Sequence, residues 1–343
     1  SVGEAILLNV ERKDELIERR LSVIQGGPVL TVDGLKKYYP IHKGLFGKHI
    51  EEVKAVDGIS FEVYPGETIG LVGESGCGKS TLARMLVGLD RPSSGDIRLD
   101  GERVEAGDRK LARQIQYVFQ DPIASLNPRK TIGEILEAPL RHLGDLEKAA
   151  RQARIEQLVD AVGLDHDHLQ RYPHEFSGGQ RQRIGLARAL ILKPDFVVAD
   201  EPVSALDVSV QGQVLNLMVR FQRELGLTYV FISHDLSVVA YLADRVAVMY
   251  LGRIVEEGEV HEVLDSPRHP YTEALLSAVP SIDAGSETTV IRLEGDLPSP
   301  SSPPAGCHFH PRCPRAMAEC ARSYPQRTDL SATHQVRCHL YPD

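Results

Sequence analysis

Residues 68–89 read TIGLVGESGCGKSTLARMLVGL. The apolar run Thr68 to Val72 predicts a buried strand, Gly73 to Thr81 a tight glycine-rich loop, and Leu82 to Leu89 a helix with apolar periodicity. Within the loop, Gly73, Gly78, Lys79 and Ser80 fit the pattern G-x-x-x-x-G-K-[ST] in its required strand-to-helix setting. Glycines let the backbone curl until successive N–H groups converge on phosphate oxygens, and the helix N-terminus adds partial positive charge. Gly73, Ser75, Gly76, Cys77, Gly78, Lys79, Ser80 and Thr81 are therefore the candidate phosphate-binding residues for a nucleoside triphosphate, ATP. Lys79 is placed to reach the β- and γ-phosphates, and the Ser80 hydroxyl to ligate Mg²⁺. Cys77 occupies a variable position and reads as a small loop residue.

Outward from that loop, further apolar runs at Ile115 to Phe119, Phe196 to Ala199, Thr228 to Ser233 and Arg245 to Met249 alternate with helical stretches, which predicts a largely parallel sheet. Between Asp121 and Phe176 strand signals vanish, and Leu, Ala, Glu, Arg and Gln dominate, as expected for an inserted helical lobe. The run FVVADEP ends its strand on adjacent carboxylates, a costly arrangement unless something cationic meets them. Asp200 suits a Mg²⁺ role, and Glu201 suits polarising an attacking water. In FSGGQRQR, Ser177 followed three residues later by Gln180 forms a capping-box pattern, while Gly178 and Gly179 leave the helix N–H groups uncovered as an anion site.

Composition bounds the rest. The 343 residues allow roughly two domains at about 150 residues each. With 42% hydrophobic and 25% charged residues the profile is that of a globular chain. A net charge of −9, no extended basic block and no Trp argue against non-specific nucleic-acid binding. No run approaches the ~18 to 20 apolar residues of a spanning helix, and the N-terminus lacks the pattern of an export signal, so a cytosolic setting is expected. Residues 1–27 form a charged extension.

The order of these motifs, together with Gln120 after a strand, SALD at Ser204 to Asp207 and His234 after another strand, resembles ATP-binding-cassette ATPases over roughly Val29 to Pro280. The resemblance implies an α/β P-loop nucleotide-binding domain over 28–280, with an inserted α-helical subdomain near 121–182. It implies two cassettes packed head to tail, with ATP on one phosphate loop closed by Ser177, Gly178, Gly179 and Gln180 of the other and with Asp207 linking the sites. Gln120 would sense Mg²⁺ and water, His234 would contact the γ-phosphate, and Tyr39 rather than Tyr38 would stack on adenine. Only 57 positions separate Gln120 from Ser177, too few for a chromosome-type coiled-coil arm, and a single cassette disfavours a twin-cassette translation factor. A nucleic-acid-directed soluble cassette is thus the weaker alternative.

SLNPR at Ser125 to Arg129, RHPYTEALLSAVP at Arg268 to Pro280 and a Pro-rich segment at 295–304 followed by cysteines narrow the likeness to ATPase subunits of oligopeptide and dipeptide importers. That subfamily also includes nickel and glutathione carriers. It implies a place on the cytoplasmic face of the membrane, two permease subunits docking near Asp121 to Arg129, a second related ATPase and an extracytoplasmic solute-binding protein. Within a C-terminal extension over 281–343, Cys307, Cys313, Cys320 and Cys338 are spaced C-x5-C-x6-C-x17-C. Residues 295–343 are few for an independent core, so a metal staple is reasonable on physical grounds. Four thiolates can serve an iron–sulfur cluster or Zn²⁺, and reduced thiols are the third option. The spacing lacks zinc knuckles and the subfamily includes cluster-bearing tails, so a [4Fe–4S] cluster is the expectation. His308, His310, His334 and His339 read as loop histidines.

Overall fold

The computed structural model describes residues 27–43, 49–105, 107–121, 125–279 and 291–342. The N-terminal charged extension, apart from Gly27, and residues 122–124 of the expected permease groove lie outside the described residues. In chain order the strands are β1 (Leu30–Lys43), β2 (His49–Val63), β3 (Thr68–Val72), β4 (Ser94–Leu99), β5 (Glu102–Arg103), β6 (Ile115–Val118), β7 (Phe196–Asp200), β8 (Thr228–Ile232), β9 (Arg245–Tyr250), β10 (Arg253–Glu259), β11 (Thr328–Asp329) and β12 (Gln335–Val336).

Two sheets result. The larger has the order β11-β12-β10-β9-β3-β8-β7-β6. Its members β9, β3, β8, β7 and β6 run parallel, as the apolar runs predicted. Every residue of β3, β7, β8 and β9 is buried, which is why these strands are continuous apolar runs rather than alternating ones. Side chains of a strand still alternate between faces, and each face feeds its own core. Val198, Val230 and Ile69 pack toward one core, and Val197, Tyr229 and Val246 toward the other. The second sheet, β2-β1-β4-β5, is antiparallel and was not foreseen from the sequence. It covers the first core with Leu30, Leu35, Ile59 and Val63.

A run of helices follows β6. Its helix Ile132–His142 starts at a Thr131–Glu134 capping box, and Lys148–Ala161 packs beside it. Leu136, Leu140, Leu158 and Phe176 join the second core together with Ile184 of the helix Gly178–Leu190. Gln120 lies just after β6, and Ser177 lies at the start of the helix Gly178–Leu190, which leads back to β7.

The C-terminal residues do not stand alone. Strand β12 adds antiparallel to β10, pairing Glu256 with Val336 and Glu257 with Gln335. Phe309, 1% exposed, packs its ring 5.2 Å from Tyr250, 5.5 Å from Tyr271 and 5.6 Å from His269. The Pro-rich stretch carries neither helix nor strand, and its Pro300 carbonyl accepts from the Lys54 N–H of β2 at 3.0 Å.

Candidate functional site

Strand β3 delivers the chain into the glycine-rich loop. Gly73, Gly76 and Gly78 have φ of 151°, 82° and 107°, a region that L side chains avoid. Space excludes side chains too: a Cβ on Gly73 would lie 2.2 Å from the Met249 carbonyl oxygen, and one on Gly78 2.1 Å from that of Ala55. No side chain caps the following helix, Lys79–Leu86, so its first N–H groups remain available to an anion. Ser75 and Gly76 are exposed at the crown of the loop, and Thr81 is half-buried. Cys77 is buried, its thiol pushed up by burial, which fits a packing role. Lys79, 5% exposed, donates from Nζ to the carbonyls of Gly73 at 2.7 Å and Glu74 at 3.1 Å.

Strand β7 runs beside β8 and brings the acidic pair to the same edge. Asp200, 4% exposed, accepts from Ser80 Oγ at 3.2 Å and from Tyr117 Oη at 2.6 Å. Burial, reinforced by the Asp200 charge, raises the Tyr117 phenol far above its ordinary pKa, so it remains a donor. Glu201 turns away with φ of 45°, a left-handed geometry uncommon outside glycine and often found at functional sites. One of its oxygens, Oε2, meets Gln120 Nε2 at 2.9 Å and His234 Nδ1 at 3.2 Å. Three residues predicted from separate parts of the sequence thus converge on a single atom.

The remaining predicted residues lie elsewhere on the surface. Ser177 caps Gly178–Leu190 by accepting from Gln180 N–H at 3.3 Å, while Gln180 Oε1 accepts from Ser177 N–H at 3.0 Å. Gly179 is tight against the helix Val208–Leu225, where a Cβ would come within 2.3 Å of Val210 Cγ1, and Gly178 faces Leu206. Asp207 caps that second helix, accepting from Ser209 Oγ at 2.7 Å and Val210 N–H at 3.0 Å, and these bonds lower its pKa. Ser177 and Asp207 are both exposed. Tyr39, 37% exposed, lies by Thr81 and Asp90 with Lys37 Nζ 4.9 Å from its ring centroid. Tyr38 instead points to Asp57, and burial with that hydrogen bond pushes its phenol up to about 12.

The tail does not form the expected cluster, nor the zinc alternative. Among the described residues no group of three or more His, Cys, Asp or Glu side chains is arranged to hold a metal ion. Cys307, Cys313, Cys320 and Cys338 are all free. Burial first, with the other tail sulfurs adding, pushes the Cys307 thiol up to about 11, and burial likewise raises Cys313 and Cys338. The physical reason the staple can be dispensed with is packing: the cassette itself holds this segment through β12 and Phe309. The histidines fill structural places. His334 Nε2 lies 2.8 Å from the fully buried Glu256, His310 bonds the Cys307 carbonyl, His339 bonds that of Ser323, and His308 is buried.

Two partners in the site were not foreseen. Tyr117 carried a signal, a lone hydroxyl in an apolar strand that runs in register with β7. The second is Arg312, whose guanidinium grips Glu74 of the phosphate loop at 2.7 and 3.0 Å. No local pattern announces a contact between residues so distant in sequence.

Among known proteins, the family model for ABC transporters matches residues 56–204, and that for the oligopeptide/dipeptide transporter C-terminal region matches residues 255–320. The oligopeptide transport ATP-binding protein AppF of Bacillus subtilis is 51% identical over 320 residues, covering 91% of this chain and 97% of AppF. The dipeptide transport ATP-binding protein DppF of Haemophilus influenzae is 52% identical, covering 90% and 96%. Among solved structures, cbiO1 from Clostridium perfringens, part of the ABC transporter complex cbiONQ, matches with a TM-score of 0.59 and 28% identity over 70% of this chain and 91% of that one. The ATP-binding cassette MJ0796, a dimer with bound ADP and Pi, matches equally well, at 28% identity over 67% of this chain and 98% of that one. The glycine-rich loop, the acidic pair at the end of β7 and the matches at both ends of the chain together make this protein an ATPase of the ABC transporter family, belonging with the oligopeptide and dipeptide transport ATP-binding proteins.

Proposed function

We propose that this chain hydrolyses ATP at the cytoplasmic face of a membrane and couples the cycle to import of di- or oligopeptides through permease partners. The observation that carries the reading is the meeting of Gln120 and His234 on Glu201 Oε2, one residue beyond the Asp200 that faces Ser80. The open helix N-terminus and Lys79 hold the phosphates, and Lys79 exchanges its loop carbonyls for phosphate oxygens. Glu201 accepts the proton of the attacking water, while Gln120 and His234 fix where that carboxylate and water lie. Ser80 Oγ and Asp200 Oδ1, hydrogen-bonded at 3.2 Å, are hard oxygen donors, and Gln120 reaches Glu201, the residue after Asp200; this donor set fits Mg²⁺. Magnesium held there would offset the negative charge of the phosphates. Tyr39, the freer of the two tyrosines, offers its ring to adenine.

Ser177 and Asp207, both exposed at helix starts, support the head-to-tail pair, since a helix N-terminus at the surface favours an anion presented by a second cassette. On this reading the chain divides into an N-terminal extension to residue 27, a cassette over 28–280 with its helical part near 121–182, and an extension over 281–343. The permease inserts near Gln120 and the lobe. No helix among the described residues is long and apolar enough to cross a membrane, so the translocation path belongs to permease subunits, with a second ATPase and a solute-binding protein completing the complex. Peptide cargo is favoured over nickel or glutathione by the names of the two relatives.

The test is Glu201→Gln in the complex reconstituted with its permease in vesicles. ATP binding should stay within about threefold while turnover and uptake of a labelled dipeptide fall about 10² to 10⁴-fold. Near-normal turnover would remove Glu201 from its role, and uptake of nickel or glutathione but no peptide would sink the cargo assignment.

A further inference from the structure

Glu74, the first variable residue of the phosphate loop, is held at each of its polar groups. Its N–H donates to Tyr271 Oη at 2.8 Å, and its carbonyl accepts from Lys79 Nζ and from Cys77 N–H. Its carboxylate receives both terminal nitrogens of Arg312, at 2.7 and 3.0 Å. The Arg312 side chain is only 8% exposed and its guanidinium lies 6.0 Å from the Tyr250 ring centroid, so this is a sheltered, forked pair rather than a solvated surface contact. Tyr271 and Tyr250 in turn pack on Phe309, three residues before Arg312. The same C-terminal segment reaches the crown of the loop, where Leu297 Cδ2 would lie 3.9 Å from a Cβ on Gly76. It also bonds Lys54, next to the Ala55 carbonyl that abuts Gly78.

We propose that Arg312 is a positioning residue for the ATPase reaction, setting the phosphate loop through Glu74 and so coupling the docked C-terminal extension to nucleotide affinity. The loop binds phosphate through backbone N–H groups whose directions depend on how Glu74 is held. An extension that fixes Glu74 lowers the ordering cost of binding, and by reciprocity bound nucleotide tightens the extension's hold on the cassette. The chemistry asks for arginine, because a lysine ammonium cannot present two parallel N–H groups to one carboxylate.

The experiment measures KM and kcat for ATP, and calorimetric affinity for ATP and ADP with Mg²⁺, in the full chain. Arg312→Ala should raise KM and weaken both nucleotides about tenfold while kcat stays within about twofold. Arg312→Lys should fall between wild type and alanine. Glu74→Ala should match Arg312→Ala, and the double variant should bind no worse than either single one, since both remove the same contact. Unchanged nucleotide affinity with a lowered melting temperature would overturn the proposal, as would losses that multiply in the double variant. Should Arg312→Ala fail to fold, Glu74→Gln decides alone: it keeps the side chain's shape but not its charge, and wild-type affinity for both nucleotides refutes the coupling.

Discussion

Replacing Tyr117 by Phe removes one oxygen atom and little volume, and so isolates a single hydrogen bond. That bond joins a neutral phenol to the carboxylate of Asp200 at 2.6 Å, where Asp200 is 4% exposed. Hydrogen bonds to charged groups contribute about 1.5 to 3 kcal/mol, and the larger part of the loss here is an acceptor left buried beside an apolar ring. Ser80 at 3.2 Å engages the other oxygen and does not compensate for Oδ2. With a urea slope of about 3 kcal/mol/M, Tyr117→Phe should lower the unfolding midpoint by about 0.5 to 1 M without changing the slope. The assay is equilibrium urea unfolding, run with and without saturating ATP and Mg²⁺. A cation at Asp200 would satisfy the orphaned carboxylate, so the gap between variant and wild type should narrow in the liganded series. A midpoint within about 0.2 M of wild type in the unliganded protein would show that the hydroxyl does not support Asp200.

Phe309→Ala empties a site walled by Tyr250, Tyr271 and His269, and large-to-small changes of this kind cost about 3 to 5 kcal/mol. Limited proteolysis should then cut between residues 295 and 327 at concentrations that leave wild type intact, and equal resistance would refute the docking role. His269 is 1% exposed and burial lowers its pKa from 6.5 to about 4, while His308 shifts the same way for the same reason. Because the unfolded chain protonates these rings first, the stability they contribute is complete above pH 6.5 and is lost as pH falls toward 4. At pH 5.5 His269 alone should cost about 1.4 kcal/mol relative to pH 7.5. Melting curves across that range check it, and a flat profile from pH 7.5 to 5 would contradict the burial argument.

The parts of this fold legible in the sequence are those where a local signal is also the global solution. Strands β3, β7, β8 and β9 are buried on both faces, so each had to be a continuous apolar run, and Gly73 and Gly78 occupy positions where no side chain fits. Glu201 could be named from the end of its apolar strand, and Gln120 and His234 from their place in the motif order of ATP-binding-cassette ATPases, although only the folded chain shows that they share one oxygen. The antiparallel sheet was obscured because β1 and β2 carry charged residues and register shifts, which blur the period of two. Arg312 and β12 were invisible for another reason: their partners lie in the cassette, far along the chain, and a two-residue strand has no periodicity to read. The cysteine spacing and the family likeness point to a cluster that the described residues do not form, because the aromatic packing that secures this segment leaves no trace in the spacing.

One consequence of the pairing of β12 with β10 concerns behaviour in a crowded solution. Without residues 328–336, the seven residues of β10 would form the flank of the larger sheet, an unpaired row of amides and carbonyls able to recruit a stranger's backbone. Two two-residue strands, β12 and then β11, blunt that flank instead, leaving too short a template for fibre-like stacking. A proteolytic nick that released this hem would therefore threaten solubility before it threatened the phosphate loop.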